Sequence, residues 1–286
     1  LKPLKILGIY RDPKFSNNAI EADRLILQEA LAKIQGSFGS DLQLDYWEEG
    51  EVASKKNPAF DLVFTMSQSE ATLVAIDKLF PNTPVWNSTQ AIRNCYRKTM
   101  SQTLIDLPVN YVPFQILATD QFPDINAGES YWLKRSDFHA ICDDDVTLAE
   151  SPAEASLKLA KFRERGVSEV IVQKHIVGDI YKFYGVKNKF FRPIRVRSFL
   201  TNPPAPDLAG LERMAAISAN ALELKIYGGD AILDAQGKFH LIDLNDWPSF
   251  RICREDASSA IAELAGEFLS ELIPAMKAPA VSASSI

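Results

Sequence analysis

Between Leu4 and Ser88 short apolar runs alternate with stretches of helical periodicity, and this alternation narrows the possible folds more than any other feature of the chain. "LKILGIY" is followed by "IEADRLILQEALAKI"; then come "LQLDYW", "FDLVFTM" and "TPVWNS", with the helical "SEATLVAIDKLF" between the last two. Strand-length runs separated by helices predict a small parallel sheet, because parallel neighbours need a crossover that a helix supplies. After the first strand the sequence reads "YRDPKFSNN". The glycine-rich turn of a dinucleotide-binding unit is missing there, which disfavours a nicotinamide enzyme.

Beyond residue 90 the pattern becomes α+β. A helix across "IRNCYRKTMSQTLI" precedes strands at "YVPFQIL" and "SYWLKRSD", a helix at "SPAEASLKLAKFRERG" and a strand at "SEVIVQKHI". After Gly178 come two strands, "IYKFYGV" and "FFRPIRVRSFL", joined by "KNK", then the helix "DLAGLERMAAISANALEL", a hairpin and a final helix at "SSAIAELAGEFLSELIPAM". The expected division is 1–90, an α/β domain; 91–176 and 177–277, two α+β subdomains; and 278–286, a small, polar tail expected to be disordered. There is no internal repeat.

With 286 residues, of which 47% are hydrophobic and 24% charged, the chain can bury a large core. A net charge of −6 argues against a general nucleic-acid binder. Cys95, Cys142 and Cys253 are far apart and form no CxxC pair, as expected of buried thiols in a reducing compartment. No apolar run reaches membrane-spanning length, so the expectation is a cytoplasmic protein with no membrane partner. A homodimer is the default assembly for a soluble enzyme.

The chemistry concentrates in "YGGDAILDAQGKFHLIDLND", residues 227–246. With Gln236 and Gly237 as the turn pair, Asp230 lies across from Asp243, and strand parity brings Asn245 to the same face. Cross-strand carboxylates sit about 5 Å apart and repel, so a cation between them stabilises the arrangement, with magnesium carrying nucleotide phosphates the economical choice. Asp234 reads as a turn residue. Lys134, directly after the bulky run "YWL", would be half-buried in a strand and needs an anion such as phosphate. Lys98 taken alone reads as a helical surface lysine beside Arg97. "VIVQKHI" ends an apolar strand in Gln173, Lys174, His175 and Ile176 before Gly178. Such a junction can read an adenine edge through its backbone, with Asp179 accepting from ribose hydroxyls.

In this order the parts resemble the ATP-grasp superfamily, which includes glutathione synthetase, D-alanine ligase, the ribosomal-protein glutamate ligase and the ATP-grasp inositol phosphate kinases. The resemblance covers most of the chain. It implies an N-terminal α/β domain and a nucleotide held between two α+β subdomains. "NCYRK" supplies a first phosphate lysine, Lys98; "YWLK" a second, Lys134; "VIVQKHI" the hinge; and "GGD" with "IDLN" the Mg2+ ligands Asp230, Asp243 and Asn245. Two features depart from the pattern. "RSDFHAICDDD" lacks the glycine-rich flap of many members, leaving His139 as a candidate donor, and Lys174 stands where an acidic hinge residue is frequent.

Lys182, Lys187, Lys189, Arg192, Arg195 and Arg197 form a local positive excess, which points to an anionic small-molecule or peptide acceptor. By strand parity Arg195 and Arg197 share a face, and Arg195 joins Lys134 as a candidate catalytic group. The leading expectation is a carboxylate–amine ligase acting through an acyl phosphate. The alternatives are a kinase of a phosphorylated polyol and a non-catalytic ATP-binding protein. The loop "RDPKFSNN" is the natural rim of an acceptor pocket.

Overall fold

In the computed structural model, which describes residues 3–16, 19–122, 124–126, 128–138 and 142–277, the first segment folds as β1 (Leu4–Tyr10), α1 (Ile20–Phe38), β2 (Leu42–Glu48), β3 (Leu62–Thr65), α2 (Glu70–Leu79) and β4 (Val85–Trp86). The strands are parallel, in the order β2-β1-β3-β4. Ile6 and Phe64 pack on one face against Ile26, Leu27 and Leu31 of α1; Leu7, Ile9 and Val63 pack on the other against Ile76 of α2. Burial on both faces is what the short, uninterrupted apolar runs require.

Next come α3 (Thr89–Asn94), α4 (Arg97–Ile105), β5 (Phe114–Ala118), β6 (Tyr131–Arg135), β7 (Val146–Ala149), α5 (Pro152–Glu164) and β8 (Glu169–Lys174). The single helix expected over "IRNCYRKTMSQTLI" is two, because Tyr96 is extended (φ −60°, ψ 130°). The break has a packing reason. Ala91 and Cys95 share a core with Met100 and Leu104, and the additional residue at the break rephases the apolar stripe so that both pairs reach it. Strands β5 to β8 form an antiparallel sheet in the order β5-β8-β6-β7, covered by Leu159 and Phe162 of α5. Strand β7 was not anticipated. The start of α5 follows local rules: Ser151 caps it, accepting from the Glu154 amide, and Pro152 fills the first turn.

The last segment comprises β9 (Asp179–Val186), β10 (Phe190–Arg197), α6 (Leu208–Ala221), β11 (Ile226–Leu233), β12 (Phe239–Asp246) and α7 (Arg254–Lys277). Its antiparallel sheet runs β10-β9-β11-β12 and packs Phe183, Leu233 and Leu244 against Leu211 and Ala215 of α6. Sequence order groups α7 with this subdomain. Its stripe of Ala257, Ile261, Ala265 and Leu269 is instead buried in the core that holds Ile6, Phe64 and α1. Among the described residues no helix is long and apolar enough to cross a membrane.

Candidate active site

A cavity of about 430 Å³ is lined by residues of both antiparallel sheets. Its polar lining includes Arg97, Lys134, Gln173, Arg197, Asp230 and Asp243, and its apolar walls include Trp132, Val146, Ile180, Ile232 and Ile242.

Asp230 and Asp243 are directly paired across β11 and β12, through two offsets that cancel. The connection spans 234–238, so Leu233 pairs with Phe239, one step away from the pairing that a two-residue turn at Gln236 and Gly237 would give. Asp234 builds that turn, its Oδ1 accepting from the amides of Gln236 and Lys238 at 2.9 Å each, and Gly237 takes a φ of +82°. A β-bulge at Ile242 then restores the Asp230–Asp243 pair, and Ile242 lines the cavity. Gly229 allows the strands to approach here: a Cβ on it would lie 2.4 Å from the Asp243 carbonyl oxygen and from the Phe183 ring.

Burial raises the pKa of the Asp230 carboxyl above the usual value; the Lys182 ammonium at 3.0 Å opposes the shift and Asp243 adds to it. Asp230 Oδ1 is buried and accepts no hydrogen bond of good geometry. Among the described residues no group of three or more His, Cys, Asp or Glu is placed to share a metal. Two carboxylates and an amide are nevertheless a set of hard oxygen donors that suits Mg2+, which typically takes one or two carboxylates and completes its shell with water and phosphate. Asp243 faces the 430 Å³ cavity, Asn245 lines an adjoining one of about 540 Å³ with Lys182, Tyr184 and Arg251, and Asp230 borders both.

Lys134 is 8% exposed, and its Nζ donates to Gln173 Oε1 at 2.6 Å. Burial among these groups lowers its pKa from 10.5 to about 8; Asp243 and Asp230 oppose the shift and Arg97 deepens it. Lys98 does not line the cavity, since its Nζ is held by Glu169 at 2.9 Å. Arg97 does. It is 3% exposed, lies 3.8 Å from Asp243 Oδ2, donates to the Arg135 carbonyl oxygen at 3.0 Å, and leaves its buried Nε without a hydrogen bond.

The hinge residues Gln173, Lys174, His175 and Ile176 all line the cavity. Lys174 sends its ammonium to Glu129, while Trp132 Nε1 donates to His175 Nδ1 at 3.0 Å, which leaves the hydrogen of a neutral imidazole on Nε2. Gly178 lets the hinge pass close to β11, where a Cβ would stand 2.2 Å from the Leu233 carbonyl oxygen.

Asp179 departs from the ribose expectation. It is fully buried and does not line the cavity, and it accepts from the amides of Phe199 (2.7 Å) and Leu200 (3.0 Å). Burial pushes its pKa up, but these amides together with the Ser198 hydroxyl and the Arg195 guanidinium hold its carboxyl below the usual value. Arg195 is corrected for a related reason. A bulge between Arg195 and Arg197 breaks their parity: Arg195 pairs with Tyr181 and contacts Asp179 at 3.4 Å, whereas Arg197 pairs with Ile180 and lines the cavity. His139 lies outside the described residues.

Sequence reasoning missed Arg97, Trp132 and Ile242 as cavity residues, and it grouped Arg197 with Arg195 without separating them. Arg97 stood beside a more familiar lysine. The two bulges that select Arg197 and Ile242 leave no mark in residue periodicity.

No family model matches the sequence, and no curated protein does. Solved structures match over nearly the whole chain. D-cycloserine synthetase DcsG aligns with a TM-score of 0.68 at 14% identity, covering 92% of this chain and 99% of that one. A D-alanine–D-alanine ligase from Bacillus anthracis, solved with ATP, gives 0.66 at 13%, covering 94% and 100%. A RimK domain ATP-grasp protein from Sphaerobacter thermophilus gives 0.65 at 15%, covering 90% and 98%. The chain therefore has the ATP-grasp fold: a parallel α/β layer followed by two antiparallel sheets that together line one cleft.

Proposed function

We propose that this protein is an ATP- and Mg2+-dependent ligase that joins a carboxylate to an amine through an acyl phosphate. The observation that carries this reading is the convergence, in one cavity, of the Asp230–Asp243 pair with Lys134, a buried lysine whose one hydrogen-bond partner among the described residues is a neutral amide. Acids and base are desolvated there, and a metal triphosphate would supply counter-charge to both sets.

In this reading the backbone of Gln173 to Ile176 meets the adenine between Trp132 and Ile242. Lys134, held by Gln173, and Arg97 donate to phosphate oxygens, with Lys98 within reach only after leaving Glu169. Arg197 takes the cleft position expected of Arg195. Asp230, Asp243 and Asn245 would hold Mg2+, which when bound neutralises charge on the transferred phosphoryl group. An acceptor carboxylate oxygen attacks Pγ, and the bond from Pγ to the ADP oxygen breaks. The amine nitrogen then attacks the acyl carbon, phosphate leaves with the C–O electron pair, and the nitrogen loses its proton. Catalysis of this kind is mostly positioning and electrostatics.

The ion pairs weigh against a kinase of a phosphorylated polyol. Of the basic stretch, Lys182 pairs with Asp230, Lys189 with Glu263 and Glu267, Arg192 with Asp256 and Arg195 with Asp179, which leaves little of it to receive several phosphates. With Mg2+ and ATP, a panel of acids and amines should release ADP only when both classes are supplied. ADP release with a lone phosphorylated polyol would overturn the reading, and ATP binding without turnover across the panel would favour a non-catalytic role.

A further inference from the structure

The two residues that follow Asn245 are gripped by loops of a different layer. Gln68, after β3, donates from Nε2 to both carboxylate oxygens of Asp246 at 3.0 Å, and both side chains are buried. Arg11, after β1, donates to the Trp247 carbonyl oxygen at 2.8 Å and to that of Met66 at 3.3 Å, and pairs with Asp23 at 3.1 Å. The gripping loops are themselves fixed by Glu49, which is 2% exposed and accepts from the amides of Asp12 (2.8 Å), Gln68 (3.0 Å) and Ser69 (2.8 Å). One buried carboxylate thus ties the β1 and β3 loops together, and the loops tie down the end of β12.

Strand β12 needs such an anchor. The bulge at Ile242 already loosens its ladder, and Asn245 stands opposite Gly228, which offers no side chain to pack against. Trp247 has a φ of +38°, an uncommon conformation for a bulky residue that its surroundings must hold.

We propose that Gln68 and Arg11 are positioning residues for the metal site: by holding Asp246 and Trp247 they fix where the Asn245 amide sits relative to Asp230 and Asp243. This rests on the proposed function in taking Asn245 as a metal ligand. Arg11 belongs to the loop expected to rim the acceptor pocket, so its hold on Trp247 would also couple that rim to the metal-binding strand.

The test uses the full chain, a non-hydrolysable ATP analogue, and Mn2+ followed by electron paramagnetic resonance. Gln68→Glu sets a second carboxylate against Asp246 and should weaken Mn2+ binding by about tenfold or more, as loss of groups supporting a ligand does. Nucleotide affinity without divalent metal should stay at the wild-type value. Combining Q68E with D246N restores one carboxylate and one amide in reverse order and should recover most of the Mn2+ affinity, which a merely destabilised fold would not do. If Q68E does not fold, Gln68→Asn, whose amide falls short by one methylene, serves in its place, and Mn2+ affinity at the wild-type level in it overturns the proposal. Wild-type Mn2+ affinity in folded Q68E, or a double variant no better than either single one, overturns it as well. Should the wild-type chain bind no Mn2+, the proposed function fails separately, and hydrogen exchange at the Asn245 amide decides the grip: faster exchange in Q68E supports it, unchanged exchange overturns it.

Discussion

The two antiparallel sheets lining the cleft handle charge in opposite ways. On the β5-β8-β6-β7 sheet Lys134 is almost fully buried against a neutral partner, Gln173, and its pKa is pushed down. On the β10-β9-β11-β12 sheet Asp230 and Asp243 stand side by side, with side chains 24% and 19% exposed, and Asp230 is pushed up despite the ammonium of Lys182. Each sheet carries charges that its own neighbours do not fully compensate, which is how a binding cleft differs from a settled core.

Asp243→Asn should break the carboxylate side of this comparison most severely. We expect ADP release to fall about a hundredfold to a thousandfold, as for loss of one preorganised electrostatic group, with an unchanged circular dichroism spectrum. Gly229→Ala tests the close approach that pairs the two acids; its Cβ would meet the Asp243 carbonyl oxygen, so a loss of about 1–3 kcal/mol is expected in urea unfolding.

The lysine side predicts a pH signature. Because the pKa of Lys134 falls from 10.5 to about 8 on folding, the unfolded chain binds a proton between those values that the native chain has released. Stability relative to Lys134→Met should therefore rise with pH across that window, and the destabilisation from the buried charge should be fully present below it. Bound phosphate favours the charged lysine, so nucleotide affinity should weaken as pH rises above about 8. Unfolding and binding titrations at matched pH measure both trends. The smallest effects separate the arginines: Arg197→Ala should weaken nucleotide binding by about tenfold, whereas Arg195→Ala, which removes a half-exposed guanidinium while the buried Asp179 keeps the amides of Phe199 and Leu200, should change stability by less than about 1 kcal/mol and binding hardly at all.

Much of this comparison could be read in the sequence. Apolar periodicity carried the parallel sheet, the hairpin and most helices, because burial imposes a period of two or 3.6 residues wherever an element has one buried face. The Asp230–Asp243 pair was legible only because a longer turn and a bulge offset each other. Where a bulge acts alone, as between Arg195 and Arg197, parity put both arginines on one face, whereas only Arg197 lines the cavity. Asp179 looked like a ribose ligand because its sequence neighbours are hinge residues; the amides of Phe199 and Leu200 that claim it lie twenty residues or more along the chain. The grip of Arg11 and Gln68 on the end of β12 was hidden for the same reason, since it joins residues 236 and 178 positions apart.

The most direct test of the central claim is anomalous scattering from a crystal grown with Mn2+ and a non-hydrolysable ATP analogue. The account predicts a manganese peak within about 2.3 Å of oxygens from Asp243 and Asn245 and beside Asp230, touching the nucleotide phosphates with Lys134 on their far side. Phosphates lodged elsewhere, or a peak absent from these side chains, would contradict it.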